Sequence, residues 1–115
     1  MLPKKQRLRL KKDFKKIFDL GKTLSNRLFV LKFIPNELKF CRGAIIIQAK
    51  KVSKAVARNK IKRTVSAILS DVFSKRDSAL RGIDAVIIIQ SPIERKKSCE
   101  IKESLLEIFK KANIV

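Results

Sequence analysis

The stretch from Lys50 to Leu69 constrains the fold of this chain most, because it joins a helical apolar stripe to an unbroken run of positive charge. Half of its first fourteen residues are Lys or Arg, and no carboxylate occurs between Glu37 and Asp71. Apolar residues recur at the spacing of one helix face, at Ile61, Val65, Ile68 and Val72. The pattern predicts a helix from about Ala55 to Lys75 that packs one side against a core.

The opposite side of this helix is predicted to be basic, with one arc formed by Arg58, Asn59, Lys60, Lys62 and Arg63. Most charged helix faces are only solvated, but they usually mix Lys with Glu because oppositely charged i,i+4 pairs stabilise a helix. Here Lys54, Arg58 and Lys62 repeat at that spacing and repel one another. The face therefore favours polyanion binding over a merely solvated surface.

The composition agrees with a folded, polyanion-binding protein. The 115 residues carry a formal net charge of +19, and 45% of them are hydrophobic. This length suits one domain, residues 1–115, with a core of its own. Because so high a charge opposes compaction, we expect a polyanion to neutralise it, with nucleic acid first and an anionic membrane surface second. No apolar run reaches the roughly 18 residues of a transmembrane helix, and no signal-like segment follows the basic N-terminus, which predicts a cytoplasmic protein.

The residues that usually carry protein catalysis are missing or scattered. His is absent, and Cys41 and Cys99 are too few and too isolated for a metal motif or a disulfide framework. The chain has only three Gly, and they form no phosphate-binding loop. We therefore predict no catalytic residue and no metal held by the protein itself.

Around the basic helix, the sequence alternates apolar strands with amphipathic helices, which is typical of an α+β or α/β sandwich. Residues 1–12 are predicted to be a basic, flexible segment, and a short helix is expected from its cap at Asp13 to Gly21. Runs of β-forming residues predict strands at Lys22–Ser25, at 27–35 and at 38–50, the last two paired antiparallel across a turn. A strand at 83–92 and a helix at Ser98–Ala112 complete the order.

The segment KKVSKAVARNKIKR, residues 50–63, closely resembles the signature of the bacterial ribonuclease P protein subunit. The matching positions are Lys50, Lys51, Ala55, Val56, Arg58, Asn59, Ile61, Lys62 and Arg63. The similarity continues in LKKDFKKIFDLGK, SNRLFVL, RGIDAVII and SLLEIFKKA, so it spans nearly the whole chain. The sequence departs from the family at Lys60, where Arg is usual, at Lys32, where an aromatic residue is frequent, and at Ser91, where Arg is frequent.

The resemblance implies an α+β fold: a two-layer αβββαβα sandwich, like a small ribosomal-protein domain, with a left-handed strand–helix–strand crossover. The general rule for such units would instead give a right-handed crossover. The resemblance also implies that a large catalytic RNA uses Mg²⁺ to cut the 5′ leader from precursor tRNA, and that the protein is an accessory subunit of this endoribonuclease.

Two sets of RNA-binding residues follow from the same resemblance. The catalytic RNA is expected to be bound by Lys50, Lys51, Lys54, Arg58, Asn59, Lys60, Lys62 and Arg63. The single-stranded leader is expected in a cleft between the signature helix and the sheet, in contact with Phe14, Phe18 and Lys32. On pattern alone, a Phe pair at helical spacing is more often part of a core than a stacking platform.

Other classes of protein remain to be weighed against this interpretation. A basic ribosomal or other structural RNA-binding protein, with no role in tRNA cleavage, would suit the same charge and size. A helix-turn-helix DNA binder fits poorly, because strands flank the basic helix and no short helix lies one turn upstream. A membrane-surface helix also fits poorly, because the basic residues belong to a folded sandwich pattern. The predicted partners are therefore RNA molecules, with neither DNA nor a membrane.

Overall fold

The secondary structure follows the sequence pattern closely in the part of the chain that the structure describes. The computed structural model describes residues 7–8, 11–36, 40–47, 54–75, 82–90 and 97–112. Its elements are helices α1 (Lys11–Leu20), α2 (Ala55–Lys75) and α3 (Ser98–Lys111), and strands β1 (Lys22–Ser25), β2 (Phe29–Pro35), β3 (Arg42–Ile47) and β4 (Ile83–Ile89). The α+β class and the αβββαβα order are confirmed. None of the helices in these ranges is long and apolar enough to cross a bilayer.

The strands form one sheet in the order β1-β2-β4-β3. β2 pairs antiparallel with both β1 and β4, whereas β3 pairs in parallel with β4. The predicted antiparallel pairing of the strands at 27–35 and 38–50 is therefore wrong, because β4 lies between them. The burial of β4 gives the reason: every residue except Ile88 is buried, as expected of a central strand, whereas β3 is buried only at Gly43 and takes the edge.

The parallel pairing of β3 with β4 depends on α2. This helix carries the chain back along the sheet, so β4 starts at the same end as β3, and Arg42 lies opposite Asp84. The strand–helix–strand unit is the one that the sequence predicts, and its left-handed crossover stays a prediction.

The main core lies between one face of the sheet and the helices α2 and α3. Alternate residues of β2 point into it, and Phe29, Leu31 and Phe33 are all buried, as the strand pattern predicts. The helices contribute the predicted apolar residues Ile61, Val65, Ile68, Val72, Ile101, Leu105, Ile108 and Phe109. The basic helix is thus held by its apolar side, which leaves other positions for charged residues.

α1 packs on the opposite face of the sheet and forms a smaller second core. Ile17 is buried there with Leu8 and Val86, and Phe14 packs against them. The alternation of side chains along β4 separates the two cores, since Ala85 and Ile87 belong to the main core. The predicted two-layer arrangement therefore describes the sheet with α2 and α3, and α1 adds a layer on the second face.

The described residues of the predicted flexible segment, 7–8 and 11–12, bridge to β3 or lie in α1. α1 begins at Lys11, so Asp13 lies inside the first turn and is not the cap. Leu8 is buried, and its N–H donates to the carbonyl oxygen of Gly43 at 3.1 Å, beside a parallel bridge between Arg7 and Gly43. The prediction of a flexible segment over 1–12 therefore does not hold at 7–8 or 11–12, because the open edge of β3 offers backbone partners.

α1 ends at Leu20, directly before Gly21, the residue that the sequence predicts to stop it. The N–H of Gly21 donates to the carbonyl oxygen of Ile17 at 2.9 Å. A Cβ atom at this position would lie 2.4 Å from that same oxygen and 2.9 Å from the carbonyl oxygen of Phe33. Only glycine therefore lets the chain pass from α1 into β1 this close to β2.

Candidate nucleic-acid interface

The exposed side of α2 near its start carries Asn59, Lys60 and Arg63, as the helical pattern predicts. Within the described part of the chain, none of these three side chains makes an ion pair or a side-chain hydrogen bond. Val56 lies on the same side and is 79% exposed. The helix thus presents two cations and one amide, the last being both a donor and an acceptor, to any partner that docks on it.

Arg58 and Lys62 lie at the border of this surface and are half-buried. The prediction of one outward basic arc is therefore wrong for these two positions. The reason is that the buried side of α2 is wider than the predicted stripe, because Leu69 and Phe73 are also buried and share the sector of Arg58 and Lys62. Both positions therefore border the main core, where the aliphatic part of a long side chain can be buried while its charged end stays near solvent.

The backbone at the start of α2 adds to the positive charge of the side chains. The backbone N–H of Arg58 donates to the carbonyl oxygen of Lys54 at 3.0 Å, so Lys54 occupies the N-cap position, and the first turn contains no acidic residue. A lysine side chain cannot accept the hydrogen bonds of the first-turn N–H groups. The positive end of the helix dipole adds to the side-chain charges, and the arrangement favours a phosphate. The predicted RNA-binding residues Lys50 and Lys51 lie outside the described residues.

Phe14, Phe18 and Lys32 come together on the other face of the sheet. Phe18 is 42% exposed, whereas Phe14 is half-buried in the second core. The Nζ atom of Lys32 lies 5.3 Å from the centre of the Phe18 ring, within the range of a cation–π contact, and 3.5 Å from Oγ1 of Thr23. The ring and the ammonium group therefore lie side by side at the surface, where an exposed ring is able to stack on a planar group and an ammonium group is able to pair with an anion.

The surface beside these residues is formed by α1 and the sheet. The resemblance implied a cleft between the signature helix and the sheet, and that expectation is wrong for Phe14, Phe18 and Lys32, because α2 packs on the opposite face. Half-buried aliphatic side chains continue this surface across three strands, in register at Val30, Ile88 and Ile46.

A buried polar network, which sequence reasoning missed, fixes α1 to the sheet. Asp84 accepts hydrogen bonds from Nε and Nη2 of Arg42 at 2.9 and 2.6 Å, and from Nδ2 of Asn36 at 2.7 Å. Nη1 of Arg42 lies 3.5 Å from Oδ2 of Asp13 in the first turn of α1. Asp84 and Asn36 are both buried. The network joins the starts of α1, β3 and β4 to the end of β2.

The hydrogen bonds to Asp84 raise the pKa of Arg42, and burial of the guanidinium acts in the opposite direction. The sequence carried one signal of this network, since Asp84 is the single charged residue in the apolar strand β4. A buried charge needs a partner. The partner could not be identified before the pairing of β3 with β4 was known.

The cysteine and acidic side chains add no metal centre in the described ranges, because no three of them lie close enough to hold an ion. Cys41 is buried and Cys99 is exposed, both as free thiols. The chemistry that the exposed side chains supply is phosphate pairing, hydrogen bonding and stacking.

Fold and charge together define a small basic α+β domain with a cationic helix face. A family model described as Ribonuclease P matches residues 2–113. The chain belongs to the ribonuclease P protein family, which confirms the resemblance. The ribonuclease P protein component of Geobacillus sp. (strain WCH70) is 33% identical over 113 residues, which cover 96% of this chain and 93% of the relative.

Solved structures of similar proteins agree with this assignment. The RNase P protein of Staphylococcus aureus matches with a TM-score of 0.82 and 28% identity, over 95% of this chain and 96% of the other. The RNase P protein of Thermotoga maritima, solved in complex with 1-(4-fluorophenyl)-2-thiourea, matches with a TM-score of 0.79 and 35% identity, over 90% of this chain and 97% of the other.

Proposed function

We propose that this chain is the protein subunit of a ribonucleoprotein that removes the 5′ leader from precursor tRNA, and that it works in the cytoplasm. The single observation that carries the proposal is the exposed, acid-free start of α2, in a chain that the ribonuclease P family model matches from residue 2 to residue 113. The catalyst is the RNA subunit, which uses Mg²⁺. The proposal assigns no metal-binding step to the protein, and the described carboxylates form no group of three that could hold an ion.

The first task of the protein is to dock on the catalytic RNA through α2. Arg63 makes planar, bidentate contacts to a phosphate, and Lys60 supplies a point charge at the edge of the same face. Asn59 lies one turn before Arg63 on this face and bonds a base edge or a 2′-hydroxyl group, which only RNA offers. Arg58, Lys62 and Lys54 extend the positive surface towards the start of the helix, with Lys50 and Lys51 just before it in the sequence.

The second task is to hold the leader on the other face of the sheet. One base stacks on the exposed ring of Phe18, and Phe14 lies one helical turn before it, half-buried in the second core. Lys32 lies close enough to pair with the phosphate of the stacked nucleotide. Stacking and phosphate pairing are insensitive to base identity, so this surface accepts leaders of many sequences.

The two tasks divide the work between opposite faces of one sheet. The RNA subunit carries the reaction, and the protein raises the affinity of the assembled particle for a substrate that still has its leader. Mature tRNA lacks the leader and gains nothing from Phe18 and Lys32, so the product is released more easily than the substrate.

Reconstitution tests the proposal. The purified chain is added to a bacterial ribonuclease P RNA at low Mg²⁺, and cleavage of precursor tRNA is followed. We expect cleavage at the leader junction with both subunits, much slower cleavage with the RNA alone, and none with the protein alone. A protein preparation that still cuts precursor tRNA after complete removal of RNA would contradict the division of labour. A structural RNA-binding protein would bind RNA and leave the cleavage rate unchanged.

A further inference from the structure

The outer face of α1 is a second cationic surface, distinct from the face of α2. The helix buries Ile17 and packs Phe14 against the sheet, and it exposes Lys11, Lys12, Lys15, Lys16 and Asp19. Within the described ranges none of the four lysines makes an ion pair. α1 therefore holds four unpaired ammonium groups in a helix of 10 residues.

The position of these charges is unfavourable for the free protein. Lys11 with Lys15, and Lys12 with Lys16, are like-charged pairs at i,i+4, which destabilise a helix. Lys11 and Lys12 lie in the first turn of α1, at the positive end of its dipole, and Lys15 and Lys16 follow in the next turn. Asp19 lies in the last turn, at the negative end. Asp13 is the one acidic residue of the first turn. Its carboxylate points inward to Arg42, so it does not neutralise the lysines at the surface.

α3 shows the arrangement that a merely solvated helix uses in this same chain. It has Glu100 in its first turn and basic residues in its last turn, and Lys111 pairs with Glu107 at 3.3 Å. The end of α2 is similar, since Lys75 pairs with Asp71 at 3.2 Å. The start of α2 and the outer face of α1 depart from this arrangement in the same way.

We propose that the outer face of α1 binds the phosphate backbone of a second RNA strand, the precursor tRNA, while α2 holds the catalytic RNA. This inference rests on the proposed function. The two faces lie on opposite sides of the sheet, so an RNA surface docked on α2 leaves α1 open to another strand. Lysines act as point charges, so the contact is to phosphates and is independent of sequence. A membrane fits poorly, because Ile17 and Phe14 pack against the sheet, which leaves only Phe18 and Leu20 as exposed large apolar side chains of α1.

The test compares two double variants that each remove two exposed positive charges. Lys12→Gln with Lys16→Gln changes α1, and Lys102→Gln with Lys110→Gln changes α3 as the matched control. Gln keeps helix propensity close to that of Lys, so both variants are expected to fold. Each protein is assembled with the catalytic RNA, and the affinity for precursor tRNA is measured over a salt series. The affinity for the catalytic RNA alone is measured in parallel.

The α1 variant should bind precursor tRNA roughly three- to tenfold more weakly than the α3 control, as expected for two exposed charge contacts. Its salt slope should fall by about one to two phosphate equivalents. Binding of the catalytic RNA alone should match the control. Equal behaviour of the two variants towards precursor tRNA would overturn the inference. An equal loss of catalytic-RNA binding would also overturn it, because α1 would then belong to the same docking surface as α2. Failure of the wild-type protein to bind the catalytic RNA would instead refute the proposed function.

Discussion

Replacement of Arg42 by Met should be among the most damaging changes in this chain, although Arg42 is only half-buried and lies on an edge strand. Among the described residues, Arg42 provides two of the three hydrogen bonds that Asp84 accepts, at 2.6 and 2.9 Å. After the replacement, Asn36 remains as the donor to the carboxylate, at 2.7 Å. Met keeps the aliphatic stem of Arg, so the loss comes mainly from the guanidinium.

The expected cost follows from the burial of Asp84, whose side chain is 8% exposed. Breaking a buried pair by removing one partner costs about 3–5 kcal/mol, because a charge is left without compensation. The side chain of Arg42 is 22% exposed, so water can enter the space, and we expect the lower end of that range, about 3 kcal/mol. A double variant, Arg42→Met with Asp84→Asn, removes the uncompensated negative charge of Asp84 and keeps an acceptor oxygen for Asn36. It should be more stable than Arg42→Met by at least about 1 kcal/mol.

The assay is urea unfolding at constant ionic strength, with Lys102→Met on α3 as the control for the loss of one positive charge. The free energies of unfolding are compared only between variants that have the same m-value as the wild type, because a changed m-value would indicate a changed unfolded state. The reasoning is refuted if Arg42→Met lies within about 0.5 kcal/mol of the wild type, the usual range for a surface substitution. It is also refuted if the losses of the two single variants simply add in the double variant.

Three further predictions concern RNA, anions and pH. Phe18→Ala should weaken binding of precursor tRNA to the assembled particle by about 1–3 kcal/mol, the value of one stacked base, and leave mature tRNA unaffected; equal losses for both tRNAs would indicate a core role for the ring. Sulfate or phosphate should raise the thermal unfolding temperature of the free protein more than chloride at equal ionic strength, because these anions bind the native state at the cationic faces; an unfolding temperature that is the same in all three salts would count against such faces. The raised pKa of Arg42 means that its contribution to stability is complete below the unfolded-state value and is lost only as pH rises through the still higher folded-state value. The difference in unfolding free energy between wild type and Arg42→Met should therefore be constant from about pH 6 to pH 9, and a decline over that interval would contradict the assignment.

The helices were predictable from the sequence because their signals are local. The apolar stripe from Ile61 to Val72 set the position of α2, and its bounds, Ala55–Lys75, are those that the sequence predicts. The faces of β2 were equally clear, because Phe29, Leu31 and Phe33 alternate with less buried residues. Such patterns depend on neighbours within one or two turns and need no knowledge of the rest of the chain.

The order of the strands was not predictable in the same way. A turn between two adjacent strands favours a hairpin, yet β4 pairs with β2 through contacts such as Phe29 with Ile89. The strand that is covered on both faces takes the central position in the sheet. The continuous apolar run of β4 was the sequence feature that indicated this position. The pairing of Arg42 with Asp84 could not be predicted for the same reason. The two residues lie opposite each other only because β3 and β4 pair in parallel in this register.

The candidate site was predicted in part. The resemblance supplied Phe14, Phe18 and Lys32, and the structure places Lys32 over the ring of Phe18 and Phe14 in the second core, on the face opposite α2. The helical pattern correctly predicted the exposed positions of α2. It underestimated the width of the buried side, so Arg58 and Lys62 were expected to be more exposed than they are. The width of a buried helix face depends on what packs against it, here the sheet and α3, and not on the helix alone.

The most direct test of the account is the affinity of α2 variants for the catalytic RNA over a salt series. Arg63→Ala removes an exposed cation that has no ion pair within the described residues, so its effect on folding should be small. We predict a loss of roughly 1.5–3 kcal/mol for one charge-assisted contact, together with a salt slope that falls by about one phosphate equivalent. Lys60→Arg keeps the charge and should change the affinity by less than about 1 kcal/mol. Lys102→Ala on α3 is the control and should match the wild type. If Arg63→Ala binds the catalytic RNA as tightly as the wild type and with the same salt slope, α2 is not the docking face, and the central claim is wrong.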